Sequence, residues 1–127
     1  MTIVNRRAVL GGALAAPMLA HRGWAQSTYP NKQIRMVVPF AAAGTTDLLG
    51  RIVAQHLTDA WGQQVIVDNK TGAGGVIAGD IVAKAPADGY TLLFTTPNHT
   101  INAAFRASMP YDTEKDFRAV SNVGQIP

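Results

Sequence analysis

Two stretches of the chain carry the same device: a short apolar strand runs into a small-residue loop and then into the start of a helix. In the first, Ile34-Arg-Met-Val-Val-Pro-Phe40 leads into Ala41-Ala-Ala-Gly-Thr-Thr-Asp47; in the second, Val65-Ile-Val-Asp68 leads into Asn69-Lys-Thr-Gly-Ala-Gly-Gly75. The first strand is near-continuously apolar, as in a parallel sheet covered on both faces, which requires helical crossovers. If both strands lie parallel in one sheet, both loops reach the same edge. There, helix N-termini offer unpaired N–H groups and the positive ends of their dipoles. Such an edge suits an anion, most simply a carboxylate.

The rest of the chain keeps the alternation. Leu48, Leu49, Ile52, Val53 and Leu57 share one apolar helical face, with Thr45 or Thr46 placed to cap its start and Gly62 to stop it. A second helix is predicted over 74–85, with Val76, Ile77, Ile81 and Val82 on one face and Pro86 ending it. Asp88-Gly89 turns the chain into a third strand over 90–96, and a short helix is predicted over 101–106. Strands and helices in this order predict an α/β fold: a parallel sheet with flanking helices and right-handed crossovers.

The first twenty-five residues read as an export signal rather than as part of the fold. Arg6 and Arg7 precede an apolar run, Ala8 to Ala20, that is too short to span a bilayer. Gly23 and Ala25 are the small residues of a cleavage site, so Gln26 is the expected mature N-terminus, in the periplasm. The paired arginines leave both the general and the twin-arginine export routes open.

Removing the signal takes three of the eleven Lys and Arg with it, leaving eight against eight Asp and Glu. The mature chain is neutral, so the formal charge of +3 for all 127 residues gives no reason to expect nucleic-acid binding or membrane attachment. There are no cysteines for disulfides, lipid attachment or thiolate metal sites. Residues 26–127 form one expected α/β domain, and 120–127 read as the beginning of a further strand. The chain is therefore expected to be the N-terminal portion of a larger design.

Each residue at the expected edge has a structural and a ligand-binding reading. The loop with Ala43, Gly44 and Thr46 could be a tight connection or half of an anion cradle, and three glycines in Gly72-Ala-Gly-Gly75 suit a backbone nest. Asp47 suits the first turn of a helix and pairs at i+4 with Arg51, or it could receive an amine on a ligand. Phe40 could finish the core or wall a pocket; Thr95, Thr96 and Asn98 could complete the cradle or simply solvate a loop. Neither glycine loop has the lysine and hydroxyl of a phosphate-binding loop. No serine lies in a nucleophile-elbow pattern that would engage His99, so an exported hydrolase or phosphate-handling enzyme is the weaker alternative. A non-functional remnant is a third.

Six motifs then carry a resemblance: Tyr29 to Phe40, Thr46-Asp47 with Arg51, Gly62 to Asn69, Gly72 to Gly75, Asp88 to Leu93 and Tyr111 to Phe117. In this order they resemble the extracytoplasmic solute receptors of tripartite tricarboxylate transporters, the Bug receptors. The resemblance implies the first lobe of a two-lobed periplasmic-binding-protein-like fold, truncated before its second lobe. It implies a non-enzymatic receptor without cofactor or metal that serves the membrane components of such a transporter. Small carboxylates would be held largely by backbone groups and bridging waters at the first lobe's loops, from Phe40, Ala43, Gly44, Thr46, Asp47, Gly74, Gly75, Thr96 and Asn98. Such proteins usually carry a glycine pair in the first loop, where this chain has Ala43 before Gly44.

Overall fold

A computed structural model describes residues 28–124. The expected signal segment and its cleavage site lie outside them. The elements are β1 (Ile34–Val38), α1 (Thr45–Trp61), β2 (Val65–Asn69), a 3-10 turn (Ala73–Gly75) leading into α2 (Val76–Ala83), β3 (Thr91–Leu93) and α3 (Asn98–Phe105). The sheet runs β2-β1-β3 with both pairings parallel, Met36 lying between Val67 and Leu92. This is the α/β fold the alternation predicts.

Central β1 explains its own composition. Ile34, Val37 and Val38 are fully buried and Met36 nearly so, because both faces of the strand are covered. Ile34 and Met36 pack with Val65 and with Ala54 of α1, surrounded by Val53, Leu57, Val67, Tyr90, Leu92 and Phe94. The chain moves one way from β1 to β2 and the opposite way from β2 to β3. Two right-handed crossovers in opposite directions place α1 and α2 on opposite faces of the sheet. On the α2 side, Val76 and Ala78 are buried, and Tyr111 lies across Gly79 so closely that a methyl there would meet the tyrosine hydroxyl at 2.4 Å.

The elements differ from the sequence expectation in instructive ways. The first strand ends at Val38, before Pro39, and the third is three residues long rather than the span 90–96. The last helix begins at Asn98, three residues early. The cap of α1 is Gly44, in extended backbone, rather than Thr45 or Thr46, and no side chain caps it.

The apolar stripe of α1 is also split. Val53 and Leu57 reach the core, while Leu48, Leu49 and Ile52 are about half exposed and the buried positions are Asp47, Gly50 and Ala54. Small residues win the inner face because the helix lies close to the sheet: a methyl on Gly50 would meet Phe94 at 3.3 Å and Val38 at 3.5 Å.

Candidate functional site

Sheet order locates the site. From β1 the chain leaves toward α1 on one face; from β3 it leaves toward α3, which packs against α2 and the 3-10 turn on the other face. The loops after β1 and β3 therefore leave the C-terminal edge of the sheet toward opposite faces, which makes this edge its topological switch point. The loop after β2 closes over this edge from the side. Gly75 is left-handed, with φ of 98°, and a methyl on it would meet Pro39 Cβ at 3.2 Å, so the second loop can touch the first only through a glycine.

The first loop is organised around one buried carboxylate. Asp47 is 1 % exposed. Its Oδ2 accepts from the Ala43 amide at 2.8 Å and from Arg51 Nε at 2.9 Å, and its Oδ1 accepts from Asn69 Nδ2 at 2.9 Å. Asn69, at the end of β2, also donates to the Phe40 carbonyl at 3.0 Å and accepts from the second Arg51 nitrogen at 3.3 Å. Hydrogen bonds from Arg51, then from Asn69 and the Ala43 amide, pull the Asp47 carboxyl down to about 2. An acidic group three residues into the helix thus reaches back to a backbone N–H ahead of it, as in a capping box. The arrangement holds Ala43 at φ of 65°, a left-handed conformation in which a methyl group is uncommon.

The second loop is held from outside. Its own turn engages the Gly75 amide with the Gly72 carbonyl at 2.9 Å and the Val76 amide with the Ala73 carbonyl. From α3, Asn102 Nδ2 donates to the Gly74 carbonyl at 2.8 Å, Arg106 donates to the Ala73 carbonyl at 2.7 Å, and Arg106 Nε donates to Asn102 Oδ1 at 3.3 Å.

The structure gathers the loops that carry Phe40, Ala43, Gly44, Thr46, Gly74, Gly75, Thr96 and Asn98 at one edge of the sheet, but it redistributes their expected roles. The amides of Ala43, Gly44 and Gly75 all have internal acceptors, Asp47 Oδ2, the Ala41 carbonyl and the Gly72 carbonyl. Asp47 faces inward, with both oxygens occupied. The intrahelical bonds of α1 begin with Leu48 donating to Gly44, so among the described residues the amides of Thr45, Thr46 and Asp47 have no acceptor. Phe40 is half-buried, Thr96 is half-buried and Asn98 is exposed.

Asn69, Asn102 and Arg106 were not singled out from the sequence as site residues. Asn69 had a signal, as a polar amide ending an apolar strand; the two α3 residues had none. His99 is wedged against Tyr111, stacked at 5.7 Å, and Phe117, edge-on at 4.6 Å, and burial pushes its pKa down. Among the described residues, no group of three or more His, Asp or Glu side chains is arranged to hold a metal ion. Two shallow surface depressions lie elsewhere, beside α3 at Arg106 and Tyr111 and beside β2 at Gln64 to Val67.

An open parallel sheet with unpaired helix amides at its switch point can receive a small anion there. Residues 49–127 match the family described as the tripartite tricarboxylate transporter family receptor, and the chain belongs to that family. It is 40% identical to protein BugT of Bordetella pertussis over all of this chain and 39% of that protein. It is 38% identical to a UPF0065 protein encoded between tcbD and tcbE in Pseudomonas sp. strain P51, over 98% of this chain and 37% of that one. The chain thus spans well under half the length of these relatives.

Solved structures agree. The R. palustris protein Rpa4515 with adipate superimposes with a TM-score of 0.64 and 44% identity, over 68% of this chain and 29% of that one. MatC from Rhodopseudomonas palustris with bound malate gives a TM-score of 0.63 and 33% identity, over 70% of this chain and 31% of that one. A third neighbour, at a TM-score of 0.61 and 43% identity, is described as a periplasmic transporter.

Proposed function

We propose that residues 26–127 form the carboxylate-binding lobe of a periplasmic receptor that delivers a small di- or tricarboxylate to the membrane components of a tripartite transporter, without chemical turnover. The observation that carries this reading is the uncapped start of α1 at the switch point. Three successive amides, of Thr45, Thr46 and Asp47, have no acceptor among the described residues and sit at the positive end of a seventeen-residue helix. One ligand carboxylate accepts from these amides. Thr46, Thr96 and Asn98 supply further polar groups, Phe40 forms an apolar wall, and the second loop, through Gly74 and Gly75, limits the space. Residues 1–25 direct export and are removed after Ala25. Two neighbours whose structures carry dicarboxylates, adipate and malate, support the ligand class.

This lobe alone binds weakly. Hydrogen bonds to a ligand that stays half in water contribute about 0.5–1.5 kcal/mol each. Association costs on the order of 4 kcal/mol or more, so about four such bonds give affinity no better than roughly millimolar. Titrating the isotope-labelled chain with adipate, malate and citrate tests the proposal. Shifts centred on the Thr45–Asp47 amides, lost on substituting Gly74 or Gly75 by valine and unchanged in Gln55→Ala, are expected. Shifts scattered over the surface, or a micromolar affinity, contradict it.

A further inference from the structure

Helix α3 has an unusual attachment. None of its residues is buried, and its apolar side chains Ile101 and Phe105 are 47% and 86% exposed, so apart from the His99 ring against Tyr111 and Phe117, burial of apolar surface does little to place it. What joins it to the lobe includes a polar contact of unusual directness: Asn102 and Arg106, one helical turn apart, both donate to carbonyls of the glycine loop after β2. The Arg106 to Asn102 hydrogen bond ties the two side chains into one unit.

The loop they hold is conformationally permissive. Ala73, Gly74 and Gly75 have φ of 48°, 67° and 98°, a run of left-handed residues, and two of the three are glycines with the widest choice of alternatives. Internally the run closes through the Gly75 and Val76 amides. The Ala73 carbonyl that accepts from Val76 is the same one that accepts from Arg106, so the start of α2 and the end of α3 meet on one oxygen.

We infer that Asn102 and Arg106 are positioning residues for the binding edge. They fix the peptide planes of residues 73 and 74 and thereby hold the second loop against Pro39 and the first loop. Because Thr96 and Asn98 stand at the other end of α3, the helix is a strut that spans the third and second loops, and displacement at one end is felt at the other. The inference rests on the proposed carboxylate site for its functional meaning, while the latch itself exists without ligand and is tested without it.

The experiment uses the full chain and amide hydrogen exchange by NMR. In Asn102→Ala/Arg106→Gln, exchange at the Gly75 and Val76 amides is expected to rise about tenfold, while the core amides of β1 are unchanged. Arg106→Lys, which keeps one donor for the Ala73 carbonyl, is expected to recover part of the protection. Unchanged loop exchange in the double variant, or an equal rise at loop and core, overturns the latch. A titration with adipate on the same samples then reads the coupling: the double variant is expected to lose about tenfold in apparent affinity with its melting temperature nearly unchanged. Full affinity despite a loosened loop overturns the positioning role. Absence of any adipate shift in the parent chain instead counts against the carboxylate site and leaves the exchange result to decide the latch.

Discussion

The two glycine-bearing loops come from the same strand-to-helix device, yet they are secured by opposite means. The loop after β1 is fixed from beneath by a buried carboxylate that collects three hydrogen bonds from a backbone amide, an arginine and an asparagine. The loop after β2 is fixed from above, at the surface, by two side chains of a helix with no buried residue. Sequence similarity between two loops therefore says little about their rigidity. Rigidity follows from whether the holding groups are shielded from water, because a shielded polar group has no solvent to replace a lost partner.

The largest effect expected from this contrast is at Asp47. Asp47→Ala removes three acceptor contacts and leaves one Asn69 amide N–H and the Ala43 N–H without their acceptor, so thermal melting followed by circular dichroism should fall by roughly 10 °C. The Asn102→Ala/Arg106→Gln change should lower it by no more than roughly 3 °C, since water replaces the exposed contacts. Comparable losses in the two variants would erase the distinction.

Acid sharpens it further. The Asp47 carboxyl is held at about 2, below its unfolded value, so its contribution is complete above that unfolded value and is lost as pH falls through the folded one. Between about pH 4 and pH 2, the first loop should therefore loosen while the Gly75 and Val76 amides stay as protected as the core allows. Residue-resolved exchange across that window is the measurement, and an Asp47→Ala background should flatten the response of the first loop.

Gly75→Val tests the point where the loops meet. A β-branched residue there must adopt φ near 98° and displace Pro39, and a loss of roughly 4 °C in melting temperature is expected. Ala43→Gly is the smallest change. It relieves a left-handed alanine but gives the unfolded chain more freedom, for a net rise of roughly 2 °C. A fall on this substitution would mean that the methyl group contributes packing that outweighs its strain.

Much of the fold was legible because β1 and β2 begin as largely apolar runs and because Pro39 and Gly62 follow directly on β1 and α1; α2, expected over 74–85, instead ends at Ala83, before Pro86. The inner face of α1 was not legible. Hydrophobicity pointed to Leu48, Leu49 and Ile52, whereas close approach to the sheet selected Gly50 and Ala54, and distance between layers is not written in a periodicity. At the site, the glycines marked the loops correctly, but composition cannot tell which amides already have partners. Ala43, Gly44 and Gly75 donate within the lobe, and the unpaired amides lie one to three residues beyond Gly44. The Asn102 and Arg106 contacts join positions 28 and 33 residues distant in the chain, a relation that only the folded structure supplies.

The contact between Tyr111 and Gly79 has a consequence for how this sequence can drift. A methyl at position 79 would stand 2.4 Å from the tyrosine hydroxyl and 2.6 Å from Cζ, so trimming the ring to phenylalanine would remove only the first clash. The hydroxyl itself has no hydrogen-bond partner among the described residues, so its loss alone removes no such bond. The two positions therefore share a single fixed volume. A lineage that acquires alanine at 79 must also move or shorten the side chain at 111, and the irregular segment that Tyr111 pins to α2 must then find another anchor.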